Sequence, residues 1–220
     1  MVTDAELDHT FGIVLLREAR HLQLYATAAV RSILERDSRI LPVTRAFADV
    51  EVTDMPLDTR VTLRHRDGTS SGISVQSFTV PAGPPRFASE AGAGHTVGLI
   101  LSDETGGGTC AFVPGCGDLD QALLDRLGAT DLLLFDGTFW TDNELVTLGI
   151  SDRSARDMDH LPVSGDSGSL ARLSTLSRPQ KVYTHINNTN PMLLEGSPQR
   201  ATVERAGFGV GSDGMSFEVG

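Results

Sequence analysis

Lysine is almost missing from this chain: Lys181 is the single one in 220 residues. Arginine brings Lys plus Arg to only 18 against 29 Asp plus Glu, a formal charge of −11, and no cluster of cations interrupts the acidic excess. Phosphate backbones are bound by basic faces, so the composition argues against nucleic acid as a partner. Long apolar runs are missing too. None nears the roughly 20 residues that cross a bilayer, and an acidic start does not read as a signal peptide. These absences predict a cytoplasmic chain without a membrane span. Cysteine is scarce, with only Cys110 and Cys116 present. On an extended chain they lie up to roughly 20 Å apart, beyond the ~7 Å that a disulfide bridges. Nor is their spacing that of a zinc knuckle. Cys110 reads as a small buried hydrophobe.

What is present suffices for a core: 40% of the residues are hydrophobic, enough for one domain over 1–220. The rhythm of strand and helix signals predicts an α/β fold. Helical spacing covers 11–18, 28–35, 118–127 with Asp118 near the cap, 141–148, a stretch within 164–173 capped around Ser167, and 197–206 with Pro198 in its first turn. Strand patterns cover 22–27, 61–63, 72–80, 95–101, 110–113, 131–136 and 181–186, and Gly106-Gly107-Gly108 marks a hairpin turn. A closing hairpin of 208–210 with 215–219 is predicted around Ser212-Asp213-Gly214. The stretch 41–58 carries no clear signal, and 86–94 reads as a connector or a lid.

Asp4, Glu6, Asp8 and His9 crowd into six positions just before the first helical pattern. Three carboxylates beside an imidazole suit a divalent metal. They also suit a helix N-terminus, where acids cap and meet the helix dipole. Further along, Asp136 ends a continuous apolar run, His185 stands near the end of the buried-strand pattern 181–186, and His160 opens a loop between them. Ligands of α/β sheets gather at such strand ends. Two imidazoles and a carboxylate on one face, with open positions, form a non-haem Fe(II) arrangement, and a similar set serves hydrolytic zinc. His21 and His65 have no such setting, and His95 stands at a strand start.

Asp4-Xaa-Glu6-Xaa-Asp8-His9 resembles the His-Xaa-His-Xaa-Asp-His motif of the metallo-β-lactamase superfamily, with acids for its first two histidines. More narrowly, 3–9, Val113-Pro114-Gly115-Cys116, Leu133-Leu134-Phe135-Asp136-Gly137-Thr138 and His185-Ile186-Asn187-Asn188-Thr189-Asn190-Pro191 resemble the family of the pyrroloquinoline quinone (PQQ) biosynthesis protein PqqB. The resemblance runs along essentially the whole chain. It implies a metallo-β-lactamase-like αββα sandwich and an iron-dependent, oxygen-using hydroxylase acting on a tyrosine-derived PQQ precursor. By position Asp8 and His9 match the family's dyad, His185 its late histidine and His160 the one between. The expected metal ligands are therefore Asp8, His9 and His185, with Asp4 and Glu6 as further candidates. Asp136 and His160 are expected in acid–base or supporting roles, and Asn187, Asn188 and Thr189 at the substrate; a turn capping a strand end is the other reading of those three. Fe(II) is the expected metal, with Zn(II) the alternative. The partners implied are the PQQ precursor and dioxygen, and a homodimer is compatible with them.

Three departures accompany the resemblance. The family carries a section before the motif, with sheet strands and a cysteine cluster for structural zinc, so this sequence reads as N-terminally incomplete, through a misassigned start or as a natural fragment. The family's glycine before His160 is Asp159, and Pro81 stands where the wider superfamily carries a metal-binding histidine. A PQQ-binding carrier without catalysis, a zinc hydrolase and an inactive fragment are the competing readings.

Overall fold

The computed structural model describes residues 1–89 and 92–220, and the chain divides into two compact units. Met1–Thr79 and Gly83–Leu99 form the first; Val80–Ala82 and Ile100–Gly220 form the second. Residues 90 and 91 of the stretch read as a connector or lid lie outside the described residues. No helix among the described residues is long and apolar enough to cross a membrane.

In the first unit the acidic stretch is itself drawn into helix. α1 (Leu7–Thr10) and α2 (Gly12–Leu15) run into a 3₁₀ turn at Leu16–Glu18, so helix begins four residues before the position predicted from apolar spacing. The cause is local: Asp4 accepts the Glu6 N–H at 3.0 Å, and the Thr10 hydroxyl returns to the Glu6 carbonyl at 2.8 Å. β1 (His21–Ala26) follows, and Thr27, predicted as its last residue, instead caps α3 (Ala28–Arg36) by accepting the Val30 N–H. The stretch without a signal holds α4 (Ile40–Arg45), with Pro42 tolerated in its first turn, and β2 (Asp49–Asp54). β2 pairs parallel with β1 from His21↔Asp49 to Ala26↔Asp54, and the crossover between them is the helix pair. Val30, Ile33, Leu34, Ile40 and Leu41 fill the core of this crossover. β3 (Arg60–Arg64) and β4 (Ser70–Thr79) form an antiparallel hairpin.

β5 (Val97–Asp103) leads into the second unit. There β6 (Thr109–Val113), α5 (Gln121–Gly128), β7 (Leu132–Asp136), α6 (Glu144–Thr147), α7 (Ser169–Leu173), β8 (Gln180–Thr184), α8 (Pro198–Arg205) and β9 (Phe208–Val210) succeed one another. β6, β7, β8 and β9 lie side by side and all parallel. Leu132, Leu133 and Phe135 of β7 are buried, as a strand with cover on both faces requires. Two predicted caps shift. Asp120 rather than Asp118 caps α5, and Gly168 rather than Ser167 precedes α7, its missing side chain leaving room for the Ser164 carbonyl. Ser197 caps α8 with Pro198 in the first turn, as predicted. The closing hairpin is absent. β9 pairs parallel with β8, 215–219 form no strand, and the Gly211 N–H closes on the Tyr183 carbonyl at 2.8 Å.

Candidate metal centre

Parallel register sets Asp136 of β7 opposite Thr184 of β8, so the residues that follow each strand emerge at one edge of the sheet. Gly137 makes the close passage there. A side chain at this position would meet Met192 Cε at 2.6 Å and Tyr183 Cβ at 3.0 Å, while its N–H bonds the Thr184 carbonyl at 2.8 Å. His185 then takes a left-handed conformation, φ 51°, directly after β8. His160 arrives from the loop after the 3₁₀ turn Arg156–Met158, through Asp159 at φ 60°. Aspartate is among the side chains that accept this conformation, so Asp159 supplies the turn expected of the family's glycine.

Asp136 is completely buried and holds the cluster together. Its Oδ2 accepts the Cys116 N–H at 3.1 Å and His160 Nδ1 at 2.7 Å. Its Oδ1 accepts the Thr138 N–H at 3.0 Å and the Thr138 hydroxyl at 2.6 Å. Burial pushes the carboxyl pKa up, but the charge and hydrogen bond of His160, with His185 close by and the bonds from Thr138, outweigh it and bring the value to about 2. Asp136 is thus ionised and only accepts, so the 2.7 Å bond places a proton on His160 Nδ1. The Thr138 hydroxyl spends its own hydrogen on Asp136, so at 2.7 Å from His185 Nδ1 it accepts there as well. In both rings Nδ1 carries hydrogen, and in the neutral form the lone pair is on Nε2. The rings stack with centroids 5.5 Å apart and planes 22° from parallel, and Phe139 meets His160 edge-on at 5.8 Å.

Ligand atoms of Asp136, His160 and His185 lie within 4.8 Å of one another, a spacing one ion spans. The donor set fits a borderline divalent metal, with imidazole nitrogens as donors. Four hydrogen bonds already engage the roughly four lone-pair sites of the Asp136 carboxylate, which orients the imidazoles instead of offering a spare oxygen.

The 187–189 loop is tied from within. Asn187 Nδ2 donates to Thr189 Oγ1 at 2.7 Å, and the Thr189 hydroxyl donates to Glu144 Oε1 at 2.6 Å. Glu144, a buried acid, also takes the Trp140 N–H at 2.7 Å. Asn188 is exposed at the tip. Sequence reading passed over Glu144 because an acid in the first turn of a short helix is unremarkable on its face.

The first unit holds the other expected ligands. Asp8 is exposed and His9 half-buried, with His9 Nε2 3.8 Å from Asp8 Oδ2. Asp4 is buried, its Oδ1 2.7 Å from His9 Nδ1. Burial pushes the Asp4 carboxyl up, yet the His9 hydrogen bond and charge hold it below the usual carboxylate range. The same bond holds His9 above the ordinary imidazole value against desolvation. Glu6 is exposed, and partial desolvation with repulsion from Asp4 and Asp8 pushes its carboxyl up. His95 Nδ1 meets the Gly92 carbonyl at 2.8 Å and His21 Nδ1 meets Asp49 at 2.9 Å.

A β-lactamase superfamily domain model matches residues 1–186. The chain is 36% identical over 223 residues to coenzyme PQQ synthesis protein B of Gluconobacter oxydans, spanning 100% of this chain and 71% of that protein. Against the protein of the same name from Cupriavidus necator it is 38% identical over 222 residues, spanning 100% and 72%. The structure is similar to that of Zn(2+)-bound PqqB from Methylobacterium extorquens, with a TM-score of 0.83 at 30% identity, over 98% of this chain and 71% of that one. A diphosphatase of the PhnP family shares the fold alone, with a TM-score of 0.61 at 17% identity over 98% of this chain and 68% of that one.

Proposed function

Because this chain belongs to the coenzyme PQQ synthesis protein B family of the β-lactamase superfamily, we propose that it serves PQQ synthesis as a metal-dependent oxygenase. The reaction proposed is hydroxylation of a tyrosine-derived precursor, with Asp8, His9 and His185 as ligands and Fe(II) as the working metal. The observation that carries this reading is the pair of imidazoles, His160 and His185, ordered by one buried carboxylate, His160 directly and His185 through Thr138, so that Nε2 of His185 faces the metal and Nε2 of His160 is left for proton transfer. A metal-binding imidazole is held in orientation by a partner that accepts the hydrogen of its other ring nitrogen, as Asp136 and Thr138 do here. Bound iron supplies activation of dioxygen, whereas bound zinc supplies only Lewis acidity.

The chain's own residues do the rest. Asp136 holds its negative charge at neutral pH and keeps the His160 ring fixed. His160 Nε2 is then the nitrogen that takes or gives a proton beside the substrate. Asn187 and Asn188 offer amide groups for substrate carboxylate or carbonyl oxygens. Thr189 has its hydroxyl engaged by Glu144, so its part is to hold Asn187 in place.

The test is anaerobic loading with Fe(II), then dioxygen and the precursor, with mass spectrometry of the product. Gain of an oxygen atom that requires both iron and His185 supports the reading; full hydroxylation by His185→Ala refutes the ligand assignment. A second reading, PQQ binding without catalysis, draws on a cavity of about 330 Å³ beside His185, lined by Leu134, Val182, Ile186, Leu193 and Phe217. Tight binding of PQQ with no oxygen consumption would favour it.

A further inference from the structure

We propose that Asp4 is a positioning residue for His9, keeping the ring proton on Nδ1 and thereby assigning Nε2 to the metal. This rests on the reading above, in which His9 is a ligand. Asp4 occupies a position where the superfamily motif that this sequence resembles has a histidine, yet its oxygens are engaged elsewhere. Oδ1 accepts the Glu6 N–H at 3.0 Å and lies 2.7 Å from His9 Nδ1, and Oδ2 accepts the Thr3 hydroxyl at 2.8 Å. The carboxylate has no hydrogen of its own to give, so the bond to His9 needs the hydrogen on Nδ1. Once the ring has released a proton, the one that stays is therefore on Nδ1.

Asp4 is well placed to hold a ring still. It is 3% exposed and forms a bridge with Thr96, while the Thr3 carbonyl takes the Val97 N–H at 2.9 Å. The anchor thus stands on paired backbone, and His9 stands on α1, so the bond spans the helix start. Asp8 Oδ2 lies 3.8 Å from His9 Nε2, which puts the carboxylate oxygen of the proposed ligand set beside the nitrogen that Asp4 assigns to metal. The bond to the Glu6 N–H closes an Asx-type turn just before α1, which any short polar side chain could supply, and it caps no N–H of the helix itself. The bond to His9 is an addition that this turn does not call for. It repeats, in the first unit, the relation between Asp136 and His160 in the second.

Two readouts test this on the full chain. The first is the ring tautomer of His9 by ¹⁵N NMR without metal, above the pH at which the ring is neutral, assigned with His9→Gln. The second is zinc affinity by competition with a chelator for wild type, Asp4→Ala and Asp4→Asn. The expected wild-type ring carries its proton on Nδ1; Asp4→Ala moves it toward Nε2 and weakens zinc binding by about 10- to 100-fold. Asp4→Asn, which keeps one acceptor oxygen and the side-chain size, is expected to fold and to lose less. A wild-type ring protonated on Nε2 overturns the proposal. So does a folded Asp4 variant with unchanged tautomer and unchanged zinc affinity. If wild type takes up no zinc, the reading of function fails, and the tautomer measured without metal still decides the role of Asp4.

Discussion

Asp136 concentrates more chemistry than any other residue in the second unit, since four donors converge on its buried carboxylate. Asp136→Ala would leave the Cys116 N–H, the Thr138 groups and His160 Nδ1 without their acceptor. A loss of about 3–5 kcal/mol is expected, read from urea unfolding at neutral pH. Asp136→Asn should fold better and still disorder His160. The neighbouring cysteine gives a second prediction. Burial pushes the Cys116 thiol well up, and the negative charge of Asp136 pushes it further; burial alone raises Cys110 to about 11. Thiolate is the reactive form, so both should resist alkylation at pH 7 in the native protein and react together once urea unfolds it. Rapid native labelling of either would contradict this placement.

Among the elements, β6, β7 and the approach to β8 are pinned by Asp131. Its Oδ2 accepts the Thr109 N–H at 2.8 Å and the Thr109 hydroxyl at 2.9 Å, and its Oδ1 accepts Arg178 Nη2 at 2.9 Å. The Arg178 bond, then those from Thr109, hold the Asp131 carboxyl below its ordinary value. A carboxyl lowered on folding adds stability above its unfolded pKa and loses it as the pH falls through the folded one. Wild type should thus lose melting temperature on acidification below the usual carboxylate range, and Asp131→Asn should show a shallower fall there from a lower starting point. A variant with the wild-type pH profile would remove Asp131 from this account. Gly137→Ala tests the passage after β7. The tip of Met192 can swing away from a methyl there, but Tyr183 Cβ at 3.0 Å and the Thr184 carbonyl at 3.2 Å belong to β8 and must give, with an expected cost of about 1–3 kcal/mol and displaced Thr138, seen as reduced metal affinity.

The same scale shows what the sequence made legible. β7 was readable because a continuous apolar run marks a strand buried on both faces, and β8 because Val182 and Tyr183 stand as a short apolar pair within a β-prone stretch. β2 was passed over although Val50 and Val52 alternate with Asp49 and Glu51 at strand spacing, because the run is short, rich in acids of low strand propensity and followed closely by Pro56. The short apolar runs at 208–210 and 215–219 suggested a hairpin because pattern alone does not tell a parallel neighbour from an antiparallel one. Helix began early because a hydrogen bond from Asp4, invisible to periodicity, organises the turn before it. At the site, strand-end positions pointed to Asp136 and His185, whereas the bond from Asp136 to His160, 24 residues apart, and the tie from Glu144 to Thr189 depend on how loops return.

At the scale of the whole molecule, the charge of −11 and the family membership set the frame. Acidic surfaces repel phosphate backbones, so no shift of duplex DNA is expected in a gel at low salt, where electrostatics are strongest. Asp8 and His9 in the first unit and His185 in the second stand as the proposed ligands, supported by the motif match and by the ordered imidazoles of the second unit. The most direct test of that claim is the iron content of this 220-residue chain after anaerobic loading with Fe(II) and desalting, for wild type and His185→Ala side by side. The expected result is about one iron per chain in wild type, lost in the variant. Equal iron in both, or none in wild type, would contradict the account.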